Sequence, residues 1–254
     1  MAATSSRAQT PITCGANAAS TISTDRPQVT NASTVVPCGS LQFENGLEQT
    51  GSGGRQGVDL PETSLRFGIA NKTELRLGLP NYLLHDDTGS AFANGASDML
   101  AGFKQQLGPT HGFDVSVIAS VSLPVGANAI SSHGYDPSLQ VPWSRSLTSL
   151  WTLSGQLSLS APTSGGQRNL TGQASMYLDR ALSSVWDAFA EYSGQFPQRG
   201  RPQHAIELGA AYKISPRQQL DLHCNFGFAA AIPSHAIGLG YSVRFQLIHP
   251  RVKA

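Results

Sequence analysis

Charged residues in this chain recur at even spacings. Glu74 stands two positions before Arg76, Glu44 four before Glu48, Asp98 six before Lys104, and Asp187 four before Glu191. In a β-strand an even separation puts both side chains on one face. If such a face lines an interior, its charges do one of two things. They set the field that a passing solute feels, or they pair across the interior, since weakly hydrated charges need partners. The candidates are Glu44, Arg66, Glu74, Arg76, Asp98, Lys104, Asp114, Glu191, Glu207 and Arg244. Both readings stay open at this stage.

Other chemistry finds little support. No His is followed two positions later by Ser, and G-x-S-x-G is missing, so no nucleophilic constellation is visible. His85 beside Asp86 and Asp87 lacks a full ligand set at useful spacing and reads as a solvated loop. Gly51-Ser52-Gly53-Gly54 lacks the Gly-Lys-Ser/Thr of a phosphate loop and reads as a flexible tip. None of the 3 Cys forms a C-x-x-C pair. Cys14 and Cys38 flank a 23-residue stretch and are a candidate disulfide in an oxidising compartment. The sequence therefore predicts no catalytic residue, no metal and no cofactor.

Composition narrows the class. Of 254 residues only 13% are charged, about half the usual share of roughly 25%. Ser, Thr, Asn, Gln and Gly fill the deficit, and 26 Gly with 15 Pro imply many turns. A net charge of +1 without a basic block gives no electrostatic case for nucleic acid. No apolar run reaches the ~18 residues of a membrane helix. The first 30 residues also lack a signal-peptide core, so the expectation is either a protein that stays inside the cell or a start that lies downstream of a removed leader.

From about Leu41 the sequence alternates with period two almost to its end. The alternation predicts twelve strands, near 41–49, 62–70, 73–83, 97–107, 112–124, 137–144, 147–160, 169–179, 184–194, 204–213, 218–228 and 236–246. Many match the roughly 9–11 residues that cross a bilayer at a tilt. Short connections (71–72, 108–111, 145–146, 180–183, 214–217) interleave with longer ones (50–61, 84–96, 125–136, 161–168, 195–203, 229–235). This places both termini on the short-turn side, as in outer-membrane barrels.

One parity of each strand is apolar, for example Leu75-x-Leu77 and Ile237-x-Leu239-x-Tyr241-x-Val243-x-Phe245; the other carries the charges. About eight strands already fill a small barrel with side chains. Twelve with apolar faces inward would enclose a large apolar void, so the apolar face points to lipid. Cys224 shares that face. Trp143, Trp151, Trp186, Tyr212 and Phe245 also lie on it near the short-turn ends, where a membrane-interface belt is expected. The fold class is thus all-β, a closed antiparallel up-and-down transmembrane β-barrel.

Several stretches carry a family likeness. They are Thr24-Asp25-Arg26-Pro27, Gly39-Ser40-Leu41-Gln42-Phe43-Glu44-Asn45-Gly46, Leu65-Arg66-Phe67-Gly68-Ile69, Glu74-Leu75-Arg76-Leu77-Gly78, Gly102-Phe103-Lys104, Ser122-Leu123-Pro124-Val125-Gly126, Phe189-Ala190-Glu191-Tyr192 and Gly238 to Phe245. In this order, across about 220 residues, they resemble outer-membrane barrels of the meta-pathway of phenol degradation transporter family. The resemblance implies residence in the outer membrane and passage of small, often hydrophobic or aromatic compounds. Arg66, Glu74, Arg76, Lys104 and Glu191 fall within or beside these stretches.

The chain divides on this reading into a disordered or extended periplasmic lead-in (1–37), the barrel (38–246) and a tail (247–254). An alternative folds the lead-in into the lumen as a partial plug. The partners expected are outer-membrane lipid, a small-molecule solute and the outer-membrane assembly machinery. Two competing functions are a structural or adhesive barrel without transport, which would not conduct, and a soluble barrel binding an apolar ligand, which would need no detergent.

Overall fold

Alternating side chains with Gly, Pro, Asn and Ser between the runs produce an all-β chain. A computed structural model describes residue 14 and residues 19–52, 55–86, 94–228 and 233–248. Its strands are β1 (Ser40–Ser52), β2 (Arg55–Leu60), β3 (Ser64–Ala70), β4 (Thr73–Gly78), β5 (Tyr82–Asp86), β6 (Gly95–Ala96), β7 (Met99–Gln106), β8 (Asp114–Leu123), β9 (Asp136–Ser146), β10 (Trp151–Ser160), β11 (Thr163–Ser164), β12 (Gln167–Arg168), β13 (Thr171–Ala181), β14 (Trp186–Pro197), β15 (Gln203–Ser215), β16 (Gln218–Gly227) and β17 (His235–Gln246). Twelve of them form one closed antiparallel barrel, in the order β1, β3, β4, β7, β8, β9, β10, β13, β14, β15, β16, β17. Closure comes from β17 pairing with β1, from Ser40↔Gln246 to Gly51↔His235. Among the described residues the twelve-strand ring has no unpaired edge, as a span across lipid requires.

The short strands β2, β5 and β6 continue the wall beyond the barrel on the long-loop side. β2–β5 keeps the register of β3–β4, with Leu60↔Tyr82 following Ser64↔Gly78. Pro61 and Pro80 interrupt these ladders because neither can donate a hydrogen bond. A small hairpin, β11–β12, stands on a separate loop.

Some predicted boundaries shift. Residues 145–146 belong to β9, and the turn falls at 147–150; likewise 180–181 belong to β13. A hydroxyl sets each turn. Thr148 Oγ1 accepts from the amides of Leu150 and Trp151 at 3.2 and 3.1 Å, and Ser183 Oγ accepts from Val185 and Trp186 at 3.2 and 3.1 Å. Local polar capture of this kind competes with the ladder and is invisible to an alternation count.

The interior is polar. Gln42, Glu44, Arg66, Glu74 and Lys104 are each 0% exposed, whereas Leu157 is 63% and Leu239 57% exposed on the outer face. Inward-pointing Ile118 and Phe189 are apolar exceptions.

The largest correction concerns the lead-in. Within 1–37, residues 19–37 do not trail into the periplasm; they thread the lumen as a plug, the alternative reading of this segment. Ile22 N bonds Pro216 O at 2.7 Å at the short-turn side, and Gly39 N bonds Gly68 O at 2.7 Å just before β1. Between these points Thr30, Ser33 and Val36 are buried. Uncharged polar residues suit such a place because many of its amides find side-chain acceptors on the wall, among them those of Asp25, Arg26, Val29, Thr30, Asn31 and Val36. Residues 1–13, 15–18, 53–54, 87–93, 229–232 and 249–254 lie outside the described residues, so they hold part of the lead-in, of the glycine-rich tip, of the His85 loop, of the last long connection and of the tail.

Candidate functional site

The plug carries one carboxylate that organises the lumen. Asp25 Oδ1 lies 3.3 Å from Arg66 Nη1 and 3.2 Å from Lys104 Nζ, and Oδ2 pairs with Arg76 Nη1. The Ala32 amide donates to the same Oδ1 at 2.8 Å, closing the plug on itself. Glu44 Oε1 and Glu74 Oε1 complete the arrangement, 2.8 Å from Arg66 Nη1 and 2.9 Å from Arg66 Nε. Glu74 also meets Arg76 at 2.9 Å and Lys104 at 3.6 Å. Three acids therefore face three bases, and the cluster is neutral overall. Burial alone would raise the Asp25 carboxyl, but Arg66, Arg76 and Lys104 outweigh it and hold the group well below the usual carboxylate range.

Register explains this convergence. Glu74 pairs with Lys104 across β4–β7, Arg66 with Arg76 across β3–β4, and Gln42 with Arg66 across β1–β3. All point inward, so one band of wall presents the bases to whatever fills the lumen.

The wall also grips the plug backbone. Glu44 Oε2 accepts from the successive amides of Asp25 and Arg26 at 2.9 and 3.2 Å. Glu191 does the same for Val29 and Thr30 at 2.8 and 2.9 Å, with the Thr30 hydroxyl added at 2.6 Å. Glu74 Oε2 accepts from Val36 N at 2.6 Å, and Lys104 donates to Ala32 O at 2.9 Å. Arg26 pairs with Glu62 and approaches Asp221 at 3.8 Å. Its guanidinium occupies the space above Gly46, where a Cβ would collide with it. Gly68 plays the same part for the carbonyls of Val36 and Pro37.

The remaining candidates are dispersed. Glu207 is buried opposite Glu191 in register and accepts from Asn225 at 3.4 Å. Arg244 donates to Ser20 O near the short-turn end. Asp114 stands at the start of β8, opposite Ser144, away from the cluster. Asp98 is a correction to the lumen reading: it sits at the outer rim, remote from Lys104, because it precedes β7. There it accepts from Gly126 N at 3.0 Å and Ser132 N at 2.9 Å. Burial works against its charge, but bonds from Ser131, Ser132 and Gly126 win and lower its pKa. His223 reaches Glu48 at 3.1 Å.

Sequence reasoning missed Asp25 and Arg26 as site residues. The usable signal was the family-like Thr24-Asp25-Arg26-Pro27, which supplies two of the few charges in a segment otherwise nearly free of them.

Outside, the aromatic residues meet in pairs at the short-turn end. Trp186 and Tyr212 have ring centres 4.8 Å apart, Phe43 and Phe245 6.0 Å, and Phe113 and Trp143 5.9 Å. Arg180 lies over Trp151 at 5.2 Å. Cys14 and Cys38 are joined, with Cα atoms 4.8 Å apart. Cys224 is free and half-buried.

The plug leaves two small cavities. One of about 280 Å³ at the short-turn end is lined by Ser23, Thr34, Cys38, Gln42, Gln106 and Arg244 among others. The other, about 190 Å³ on the loop side, is lined by Val29, Glu48, Gln173, Gln195, His204 and Asn225 among others. Among the described residues no group of three or more His, Cys, Asp and Glu is placed to hold a metal. Chemically the site is an ionic latch between the wall and the segment that fills the lumen.

The family model described as "Putative MetA-pathway of phenol degradation" matches residues 24–245. Comparison with curated proteins returns no match. Among solved structures, the fold is similar to that of a COG4313 outer membrane channel from Pseudomonas putida F1, with TM-score 0.70 and 11% identity over 86% of this chain and 100% of that one. The NanC porin gives 0.55 and 10% over 82% and 100%. The CymD monoaromatic hydrocarbon channel gives 0.51 and 11% over 85% and 90%. The barrel therefore has the fold of outer-membrane channels.

Proposed function

This chain belongs to the family of the MetA pathway of phenol degradation, and from that premise we propose a passive outer-membrane channel for small apolar or aromatic compounds, gated by residues 19–37. The family description and the CymD likeness support the solute class. The observation that carries the gate is the way the plug is held. Ion pairs and single hydrogen bonds fix it, and no sheet pairing joins it to the wall among the described residues. Such contacts can be exchanged for water one at a time. The charged groups around Asp25 and Arg66, with Glu191, are spent on one another and on plug amides, which fits a channel rather than an enzyme.

The outward apolar face argues against a soluble ligand-binding barrel. The filled lumen is the one feature that favours a structural barrel, and conductance separates the two. In planar bilayers the full-length protein should show small, fluctuating currents. A variant lacking residues 20–36 should give larger, steady ones, and liposomes bearing it should swell faster in small phenols. If the deletion variant refolds but conducts nothing, the transport reading fails.

A further inference from the structure

Two neighbouring connections on the long-loop side are stitched together. They are residues 161–170, between β10 and β13, and residues 198–202, between β14 and β15. Asn169 Oδ1 accepts from Arg199 N at 2.9 Å while Asn169 Nδ2 donates to Arg199 O at 3.0 Å. The Arg199 guanidinium bonds Gln167. The stitch sets Arg168, Arg199 and Arg201 on one short piece of rim, all exposed. Neither connection contains Asp or Glu; the nearby carboxylate is Asp136, which Thr163 holds at 3.0 and 2.6 Å and which faces Arg168 alone of the three, so the rim keeps a net positive charge. Arg168 is anchored at one point, donating to Tyr135 O at 2.9 Å.

Directly below, the lipid face has a hollow. It measures about 230 Å³ and is walled by Pro137, Leu139, Leu159, Ala161 and Leu170, with little polar surface. Leu139, Leu159 and Leu170 are each nearly half exposed. Further round the same rim, at the start of β15, His204 lies between Tyr192, whose ring it stacks on, and Phe196, whose edge it meets. Such rings belong at headgroup depth. A cationic cap thus sits over an apolar hollow, at the level where a lipid changes from headgroup to chain.

We propose that this rim binds an anionic, phosphate-bearing acylated lipid of the outer leaflet. Its phosphate is held by Arg168, Arg199 and Arg201, and part of one chain fills the hollow between Leu139, Leu159 and Leu170. Guanidinium forks match phosphate oxygens in bidentate geometry. Two observations select this occupant. The charge complements phosphate, and the hollow is continuous with the surface already facing lipid. The site lies outside the wall and does not depend on the channel reading.

Native mass spectrometry of the full chain released from detergent tests the proposal. The probes are diphosphoryl lipid A, its phosphate-free analogue and phosphatidylcholine, with inorganic phosphate as competitor. The diphosphoryl lipid should be retained best. The R168A/R199A/R201A variant should bind it about 100-fold more weakly, with phosphatidylcholine unchanged. Leu139→Ser with Leu170→Ser should weaken all the acylated probes. Equal retention of the phosphate-free analogue, no effect of the arginine variant, or full displacement by inorganic phosphate would each overturn it. Should the triple variant fail to refold, R201A alone applies, since Arg201 makes no hydrogen bond among the described residues; it should lose about fivefold.

Discussion

Asp25 and Arg66 meet at 3.3 Å inside the barrel, the first on the segment that fills the lumen and the second on its wall. Neither side chain finds much water there, at 9% and 0% exposure. Breaking a buried pair from one side costs about 3–5 kcal/mol, because the abandoned charge stays buried. Asp25→Asn should therefore loosen the plug without touching the wall. We expect a higher open probability in bilayers, with the heat-modifiable barrel band unchanged. Unaltered currents would show that the plug is held elsewhere.

The same carboxylate fixes the response to acid. Its pKa is depressed in the plugged state, so its contribution is complete above the pKa of a released Asp, about 3.9. The contribution is lost as pH falls through the lower, plugged-state value. Open probability attributable to Asp25 should stay flat from neutral pH to about pH 5 and climb only below about pH 4. Asp25→Asn should lack that component. A rise above pH 5 that Asp25→Asn abolishes would contradict the assignment.

Two glycines separate side-chain from backbone crowding. At Gly46 an added Cβ meets the flexible end of Arg26, but at Gly68 it meets the carbonyls of Val36 and Pro37. Gly46→Ala should be mild and Gly68→Ala should cost about 1–3 kcal/mol. Adding Arg26→Ala should relieve the first and not the second. Thermal unfolding followed by circular dichroism gives the ranking.

Thiol counting checks the amino-terminal tether. In the unfolded, unreduced chain one cysteine, Cys224, should react with a maleimide, and after reduction three should. Three reactive thiols before reduction would remove the link between Cys14 and Cys38.

Depth of the belt is measurable too. Trp143, Trp151 and Trp186 all sit near the short-turn ends of their strands. Their fluorescence should be quenched more by lipids brominated close to the headgroup than by lipids brominated at mid-chain.

What the sequence disclosed follows from periodicity. Strand faces, the lipid-facing Leu75, Leu157 and Leu239, and the inward Glu44, Arg66 and Glu74 all obey a period of two that backbone geometry enforces. The plug obeys no period. Its contacts are single amides captured by side chains far along the chain, as with Val29 and Glu191, 162 residues apart. Nothing local in Ser, Thr, Asn and Ala records such a partner. Asp98 misled for a related reason: parity tells which face a residue takes, not whether it still lies within the wall. The rim strands β2 and β5 were obscured because Pro61 and Pro80 look like strand ends when they only interrupt a ladder.

Closure of β17 onto β1 constrains the order of biogenesis. The segment ahead of β1 is bound by β3, β4, β7, β10 and β14 at once, and its cradle exists only when the cylinder is whole. It must already lie inside as the final seam zips, or enter through an open mouth afterwards. The lumen is thus the last part of the molecule to acquire its native form. A barrel with a complete wall and an unseated amino-terminal segment is the intermediate that this order of assembly implies.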